Sequence, residues 1–255
     1  KSTDTEYNEP ITISATDDVL SYTIEDLEAG TIYDYYVEIF CGEEDDTLQT
    51  AVKTFITACE AITEFPWTEG FEDDWLINTT LSDNVTAPLC WSNFSGGYVN
   101  SSNSCKWKQT KDYSNSGTSS ATMYSDYATS SHNDWLITPK LALTGNQQIT
   151  FYARSRTSSE LDEISVWISD SDVTLTAPTN PNDTSALVGF TEIANFGTIP
   201  AAWEEYIISL AGYSGNRQIA FVRKYAPYDG YYLYRNNHGR GRSRIKLCCL
   251  LQKGK

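Results

Sequence analysis

The chain has 255 residues, enough for one large β domain beside a smaller one. Its 34 acids outnumber its 18 bases and give a net charge of −16, so its surface repels phosphate backbones and we expect no nucleic-acid partner. We find no secretory signal and no apolar run of membrane-spanning length. Abundant tyrosine and tryptophan with little helical periodicity predict an all-β protein.

Residues 21–57 alternate at period two, which places Tyr33, Tyr35, Val37 and Ile39 on one side of a strand. The preceding LEAGTIY at 27–33 resembles the fibronectin type III module. That resemblance implies that the Tyr33 hydroxyl bonds to nearby backbone, although any half-buried hairpin would show the same alternation. Because such a module needs about 100 residues, we predict that 1–59 is its C-terminal part, belonging to a longer protein.

A second domain is predicted from residue 60 to 234. Its central motif is SSHNDWLITPKL at 130–141, which resembles the DNWLITP signature of the cleaved-adhesin domain of gingipain haemagglutinin regions, a MAM-like jelly roll. We interpret it as a polar turn followed by a strand that enters the core and ends at Pro139. The other matches, in chain order, are FPWTEGFE (65–72), PLCW (88–91), CKW (105–107), GTSSATMY (117–124), WEEYIISLAGYSG (203–215) and IAFVRKY (219–225). Further period-two strands are predicted at 149–153 and 164–169.

The last 21 residues, 235–255, form an atypical basic tail. They hold seven of the 18 bases and no acid, where the family resemblance implies a final strand with the sequence Ile-Asp-Asp-Val. One codon spelling of HGRGRS at 238–243 encodes Thr-Val-Glu-Glu-Glu in a shifted frame. We therefore hypothesise that the reading frame slips near Arg235, which resequencing of the gene would test. The alternative is a genuine basic tail that binds an acidic surface.

The cysteines are expected to form two structural disulfides. Cys41 and Cys59 end consecutive strands, as in secreted bacterial modules of the fibronectin type III type, and Cys90 and Cys105 form a plausible pair in the jelly roll. None of the four has the Cys-x-x-Cys spacing of a zinc site. Free thiols are the alternative; oxidised pairs would imply an extracellular location, secreted or on the cell surface.

Catalytic chemistry is not expected from this sequence. Its two histidines are His132, in the predicted turn, and His238, in the basic tail. No nucleophile therefore has a convincing base with an orienting partner, and no phosphate-binding glycine loop or His-Glu-x-x-His motif is present. We predict that the chain is not an enzyme.

Structural calcium is the cofactor that the family resemblance implies. Hard cations take several oxygen ligands, and acidic extracellular modules bind calcium with dissociation constants of roughly 10⁻⁴ to 10⁻³ M. Transferred to this sequence, the ligands would be Glu72, Asp134 and the position now held by Asn236. The alternative is that Glu72 and Asp134 are ordinary solvated surface acids.

The aromatic residues divide into a core group and a loop group. We predict core positions for the tryptophans beside apolar strands, which are Trp91, Trp135, Trp167 and Trp203. The aromatics of turn-rich segments are candidates for stacking on a sugar or anchoring a protein, and these are Trp75, Tyr98, Tyr127 and Tyr228.

Together these features predict a non-catalytic adhesion module of a larger bacterial surface or secreted protein, which engages host extracellular proteins or glycans through loops at one end of a sandwich. One alternative is a carbohydrate-binding accessory module of a secreted hydrolase or protease. The other is a spacer without a ligand. Fold analogy does not choose among the three.

Overall fold

The computed structural model describes residues 21–40, 47–78, 85–97, 106–125, 132–158, 163–176, 185–225 and 243–253. The described residues form strands and turns, and the protein is all-β throughout this part. In the same part of the chain, no helix could cross a membrane. The chain divides into two compact units, Lys1–Glu60 and Ala61–Lys255.

The described part of the first unit contains two small antiparallel sheets of two strands each, β1 with β4 and β2 with β3. Their strands are β1 (Ile32–Tyr35), β2 (Glu38–Phe40), β3 (Thr47–Gln49) and β4 (Lys53–Ile56). The Tyr33 hydroxyl accepts a hydrogen bond of 3.0 Å from the backbone N–H of Glu28, as the tyrosine-corner prediction requires. The Tyr33 ring also stacks on Phe55, with 5.8 Å between ring centroids. That the unit is a fibronectin type III module stays a prediction.

The second unit contains fifteen of the described strands. They are β5 (Trp67–Glu69), β6 (Leu76–Asn78), β7 (Val85–Ala87), β8 (Ser92–Gly97), β9 (Lys106–Thr110), β10 (Ser120–Ser125), β11 (His132–Ile137), β12 (Leu141–Thr144), β13 (Gln147–Ser155), β14 (Glu163–Ser169), β15 (Phe190–Thr198), β16 (Glu204–Ser209), β17 (Ser214–Arg217), β18 (Ile219–Tyr225) and β19 (Ser243–Lys253). The strands predicted at 149–153 and 164–169 correspond to β13 and β14.

Two antiparallel sheets dominate this unit. The larger has the strand order β16-β13-β19-β10-β9, with β5 paired beside β19, and the smaller has the order β15-β14-β18-β11-β8. We call them the six-stranded and the five-stranded sheet. Both contribute side chains to one buried cluster, for example Phe151 from β13 and Phe221 from β18, whose ring centroids are 5.1 Å apart. The unit is therefore a β-sandwich.

The five-stranded sheet also carries a second buried cluster on its outer face. Trp135 and Ile137 of β11 alternate with Leu136, so they project away from the sandwich core. They pack with Phe190 and Leu187 from the end of the β14–β15 connection. The continuous apolar run that the sequence shows at 135–137 is thus explained by burial on both faces of the strand.

Five strands finish at the same end of the sandwich, which we call the Gly97 end. Within the sheets this follows from the register, which pairs His132 with both Gly97 and Tyr225 and places Ser125 opposite Ser243. A hydrogen bond between the sheets shows that both finish at this end: the hydroxyl of Ser155, the last residue of β13, donates to the carbonyl of Ile199, directly after β15, at 2.8 Å. The strands that finish at this end are β8, β10, β13, β15 and β18.

Strand β19 lies inside the region predicted as an atypical tail. It pairs with β13 over nine positions and with β10 over five, so it occupies the centre of the six-stranded sheet. Its alternate apolar positions Ile245, Leu247, Cys249 and Leu251 pair with Ser155, Ala153, Phe151 and Ile149 of β13. Residues 235–242 lie outside the described residues, and the frame-slip hypothesis stays a prediction.

Candidate functional site

The Gly97 end contains an open cavity of about 570 Å³ where β15 leads into β16. Its lining residues are Thr198, Ile199, Pro200, Ala202, Trp203 and Glu204. Trp203 is half-buried and belongs to neither buried cluster, and Glu204 is exposed. The cavity is therefore lined by one large aromatic residue, Trp203, and by one acidic residue, Glu204, which follows it in the chain.

The Glu204 carboxylate is held by its neighbour on the same strand face, Tyr206. The Tyr206 hydroxyl donates to Oε2 of Glu204 at 3.0 Å. The Tyr206 ring is itself fixed between Phe196 at 4.6 Å and Phe151 at 5.2 Å, measured between centroids. Burial, and then the hydrogen bond to Glu204, raise the pKa of the Tyr206 hydroxyl, so it stays a proton donor to the carboxylate.

The backbone of the cavity is anchored to the six-stranded sheet by Ser155, which is fully buried. Besides the bond from its hydroxyl to Ile199, its backbone N–H donates to the Pro200 carbonyl at 2.7 Å. Two adjacent carbonyl groups of the β15–β16 connection are thus fixed to the last residue of β13. The position of Trp203, three residues after Pro200, is set by this anchor.

Three of the four aromatic residues predicted to bind ligand, Tyr98, Tyr127 and Tyr228, lie outside the described residues. Trp75 is half-buried and packs on the main core, with its ring 5.9 Å from that of Phe71. The structure does not group Trp75 with the cavity residues.

The prediction that Trp203 is a core residue is wrong, because Trp203 is half-buried, belongs to neither buried cluster and lines the cavity. Trp91 and Trp135 are fully buried as predicted, and half-buried Trp167 packs on Trp135 at 5.3 Å. The signal that could have identified Trp203 is its position directly after Pro-Ala-Ala, since a proline followed by small residues indicates a connection rather than a strand.

Glu72 is exposed, and its carboxylate binds the turn that precedes β10. It accepts hydrogen bonds from the Thr118 hydroxyl at 2.6 Å and from the backbone N–H groups of Thr118 and Ser119 at 3.0 and 3.1 Å. These bonds, that of the Thr118 hydroxyl first, lower the pKa of Glu72. Any cation at this carboxylate would have to share it with three protein donors.

Asp134 is neither in a turn nor on the surface. The predicted polar turn at His132, Asn133 and Asp134 is wrong, because these residues form the first half of β11. Asp134 is fully buried and lies directly opposite Arg223 of β18, which is also buried. A carboxylate facing a guanidinium can enter a β core that would exclude either charge alone. The alternative of a solvated surface acid is therefore also wrong for Asp134.

The structure describes only some of the residues predicted to form disulfides or to bind calcium. Cys59 and Cys90 are both disulfide-bonded, whereas Cys41 and Cys105 lie outside the described residues, as does Asn236. Within the described ranges, no group of three or more His, Cys, Asp or Glu side chains could hold a metal ion. The two cysteine pairings and the calcium site stay predictions.

The sequence matches no protein-family model and no curated protein. Among solved structures, it is similar to the K2 cleaved adhesin domain of Lys-gingipain, with 15% identity, coverage of 74% of this chain and 99% of that chain, and a TM-score of 0.47. It is also similar to the carbohydrate-binding module TmCBM61 in complex with β-1,4-galactotriose, with 12% identity, coverage of 64% and 88%, and a TM-score of 0.37. A third similar structure is the CBM22-1 xylan-binding domain of Paenibacillus barcinonensis Xyn10C. Its identity is 10%, the match covers 74% of this chain and 94% of that chain, and the TM-score is 0.40. At such identities and TM-scores, these similarities assign no function to this chain.

Proposed function

We propose that this chain is a non-catalytic binding module that holds a saccharide in the cavity at the Gly97 end. The observation that carries the proposal is a cavity lined by the half-buried Trp203 and by Glu204, whose carboxylate accepts a hydrogen bond from Tyr206. A cavity of about 570 Å³ is within the size range of small-molecule sites.

The two side chains suit the two surfaces of a sugar ring. An indole offers a flat apolar face, on which the C–H face of a pyranose can pack, and the carboxylate accepts hydrogen bonds from the sugar hydroxyls. Because Tyr206 already holds Glu204 in place, little side-chain freedom is lost when a sugar binds. That Tyr98, Tyr127 and Tyr228 take part in binding stays a prediction from the sequence.

The same cavity argues for binding rather than hydrolysis. Glycosidases place two carboxyl groups about 5 to 9.5 Å apart across the scissile bond. Among the residues that line the described cavity, Glu204 is the only carboxylate. Its neighbour Glu205 accepts a hydrogen bond of 2.6 Å from Tyr152 on the outer face of the sheet.

The biological setting that we propose is a larger secreted or surface-attached bacterial protein that adheres to host glycans or proteins. The disulfide bonds at Cys59 and Cys90 support an extracellular location, since such bonds persist in oxidising compartments. The rival setting is an accessory module of a secreted hydrolase or protease, and the resemblance to cleaved-adhesin domains does not choose between the two.

A glycan array followed by calorimetry on the best saccharide tests the site. We expect Trp203→Ala to weaken binding by about tenfold or more and Trp203→Phe to restore part of it, since a stacked ring contributes roughly 1 to 3 kcal/mol. Tyr35→Ala, which removes an exposed aromatic from the first unit, should leave the affinity unchanged.

Three results would contradict the proposal. Saccharide binding that survives Trp203→Ala would place the site elsewhere. Binding only to matrix or blood proteins would favour a protein adhesin, and failure of both assays would favour a spacer.

Calcium binding by Glu72 and Asp134 stays a second proposal. Both carboxylates already have protein neighbours, because the buried Asp134 lies opposite Arg223 and Glu72 accepts hydrogen bonds from three donors. Its test is thermal unfolding with millimolar calcium and with chelator, beside a version whose last strand is restored to Ile-Asp-Asp-Val. Calcium at about 100 times its dissociation constant would add ~2.7 kcal/mol. Stabilisation of the restored version alone would indicate that the present tail removes a ligand. No shift in either version would exclude both carboxylates as ligands.

A further inference from the structure

The outer face of the six-stranded sheet continues away from the cavity with polar and aromatic side chains. Alternation along β13 defines this face, because Ala153 belongs to the core cluster whereas its neighbours Tyr152 and Arg154 are half-buried. On β16 the same face includes Glu205, whose carboxylate accepts the hydrogen bond from Tyr152. Alternation from Glu205 places Trp203, directly before β16, on this face as well.

Arg154 adjoins the cavity through the backbone of β13. The residue before it, Ala153, pairs with Glu204 in the β13–β16 register. The residue after it, Ser155, donates from its backbone N–H to the Pro200 carbonyl. Because Glu204 and Pro200 both line the cavity, Arg154 lies at the point where the cavity meets the outer face of the sheet.

The Arg154 guanidinium is held in a defined orientation. Its Nε donates to the Ser155 carbonyl at 3.1 Å, and its Nη2 donates to the Arg156 carbonyl at 3.3 Å. The Tyr113 ring lies 5.1 Å from the guanidinium, measured from Cζ to the ring centroid. A guanidinium fork has more N–H donors than these two bonds use, so Arg154 can also donate to the hydroxyl groups of a bound sugar.

Tyr113 provides a second aromatic surface on the same face. The Ser120 hydroxyl donates to the Tyr113 carbonyl at 2.7 Å. Ser120 lies on the outer face of β10, because Ala121 and Met123 alternate with it on the core side. The connection between β9 and β10 therefore folds onto the outer face here. Tyr113 is 52% exposed, so its ring can contact a ligand as well as Arg154.

The two aromatic residues, Trp203 and Tyr113, lie at opposite ends of a path across the sheet. Trp203 directly precedes β16, and Tyr113 is bonded to the first residue of β10. These strands are three positions apart in the order β16-β13-β19-β10. At about 4.8 Å between neighbouring strands, the path has room for several successive sugar units.

We infer that the saccharide site extends from the cavity across this outer face to Tyr113, and that its ligand is a linear oligosaccharide of several units. Trp203 and Tyr113 each pack on one sugar ring, and Arg154 donates hydrogen bonds to the unit between them. A chain that reaches both rings binds more tightly than a short one, because its second contact is intramolecular. This inference rests on the function proposed for the cavity and defines the length and shape of the ligand.

Calorimetry with saccharides of increasing length tests the inference on the full chain. The probes are β-1,4-linked galactose, xylose and N-acetylglucosamine, each as mono-, di- and tetrasaccharide. In at least one series, we expect the tetrasaccharide to bind about tenfold more tightly than the disaccharide. Trp203→Ala should weaken the binding of both lengths, because both occupy the cavity.

Variants of Tyr113 locate the far end of the site. Tyr113→Ala should lower the affinity for that tetrasaccharide by about five- to tenfold and leave the affinity for the disaccharide unchanged. Tyr113→Phe keeps the ring and should keep the affinity. The matched control is Tyr22→Ala, which removes an aromatic side chain of similar exposure, 55%, from the first unit and should have no effect on either length.

Variants of Arg154 test the middle of the site. Arg154→Gln and Arg154→Lys should each weaken tetrasaccharide binding by about three- to tenfold, because neither side chain has the planar fork of donors. Both should leave disaccharide binding less affected than Trp203→Ala does. Thermal unfolding of each variant beside Tyr22→Ala separates a lost contact from a lost fold.

The possible failures of this inference and of the proposed function are distinguishable. If Trp203→Ala weakens binding but the tetrasaccharide binds no better than the disaccharide, the inference is overturned and the cavity site stands. The same holds if Tyr113→Ala costs no more than Tyr22→Ala. Binding that survives Trp203→Ala overturns both. Absence of binding by every probe overturns the inference, whereas the glycan array decides the proposed function.

Discussion

The two sheets of the sandwich differ in what covers their outer faces. The central strands β11 and β18 of the five-stranded sheet are buried on both sides, because Trp135, Ile137 and Val222 pack with Leu187 and with other apolar residues of the β14–β15 connection. The outer face of the six-stranded sheet instead carries half-buried or exposed polar residues such as Lys108, Arg154 and Glu205.

This difference separates stability from recognition within one domain. A substitution in β11 or β18 disturbs a packed cluster whichever face it alters, whereas one on the outer face of the six-stranded sheet changes charge and hydrogen bonding without opening the core. The candidate binding residues Trp203, Glu204, Arg154 and Tyr113 all lie in the six-stranded sheet or directly beside it. We therefore expect substitutions to change the free energy of unfolding most in the five-stranded sheet and least on the outer face of the six-stranded sheet.

The largest effect is expected from Trp135→Ala in the five-stranded sheet. Trp135 is fully buried and contacts Trp167 at 5.3 Å and Phe190 at 5.6 Å between ring centroids. Its truncation should lower the free energy of unfolding by roughly 3 to 5 kcal/mol. The control is Tyr152→Ala on the outer face of the six-stranded sheet, for which denaturant unfolding should show about 1 kcal/mol or less. Equal losses would refute the difference between the sheets.

A nearly equal effect is expected from Arg223→Met, also in the five-stranded sheet. The substitution leaves the fully buried Asp134 without the cation that lies opposite it, at a cost of about 3 kcal/mol or more. The double variant Arg223→Met with Asp134→Leu should recover much of that loss in denaturant unfolding. Additive losses in the two single variants would mean that the charges do not interact.

The contrast between the sheets was only partly predictable from the sequence. The apolar run at 135–137 indicates a buried strand, because local alternation and composition suffice for that prediction. Asp134 looks like a turn residue because its partner Arg223 is 89 positions away and becomes its neighbour only through the β11–β18 register.

The candidate site was harder to predict for the same reason. A tryptophan before an apolar strand is usually buried, and whether Trp203 borders a cavity depends on how Ser155, far away in the sequence, holds Ile199 and Pro200. Likewise, Arg154 becomes a neighbour of Trp203 only when β13 and β16 are placed in register. Sequence periodicity assigns a face to each residue of a strand, but it does not assign the neighbouring strand.

A smaller effect is expected in the connection between β9 and β10, at the edge of the six-stranded sheet. Gly117 has a φ of +64°, and a Cβ at this position would lie 2.8 Å from Cδ of Glu72. Gly117→Ala should therefore cost roughly 1 to 3 kcal/mol, from backbone strain and from displacement of the Glu72 carboxylate. Gly212→Ala is the matched control, since Gly212 has a φ of +88° and open space around its Cβ position. If both variants lose the same stability in thermal unfolding, the contact with Glu72 contributes nothing.

The smallest effects are expected from two carboxylates near β5, Glu69 and Glu72, with opposite signs. The bonds from Thr118 and Ser119 lower the pKa of Glu72 below its ordinary value of 4.5, so its contribution is present above pH 4.5 and is lost as the pH falls through the lowered pKa. Burial raises the pKa of Glu69 above 4.5, so its charged form opposes folding at neutral pH and protonation relieves that penalty as the pH falls.

Thermal unfolding between about pH 3 and 7 separates the two carboxylates. Relative to the wild type, Glu72→Gln should lose less stability on acidification, and Glu69→Gln should lose more. Glu64→Gln, an exposed acid of the same unit, shows the general effect of removing one negative charge. If both variants shift the pH profile in the same direction as this control, net charge alone explains it. Opposite shifts would show that a buried and an exposed carboxylate, three residues apart, have opposite effects on stability because one is desolvated and the other accepts three hydrogen bonds.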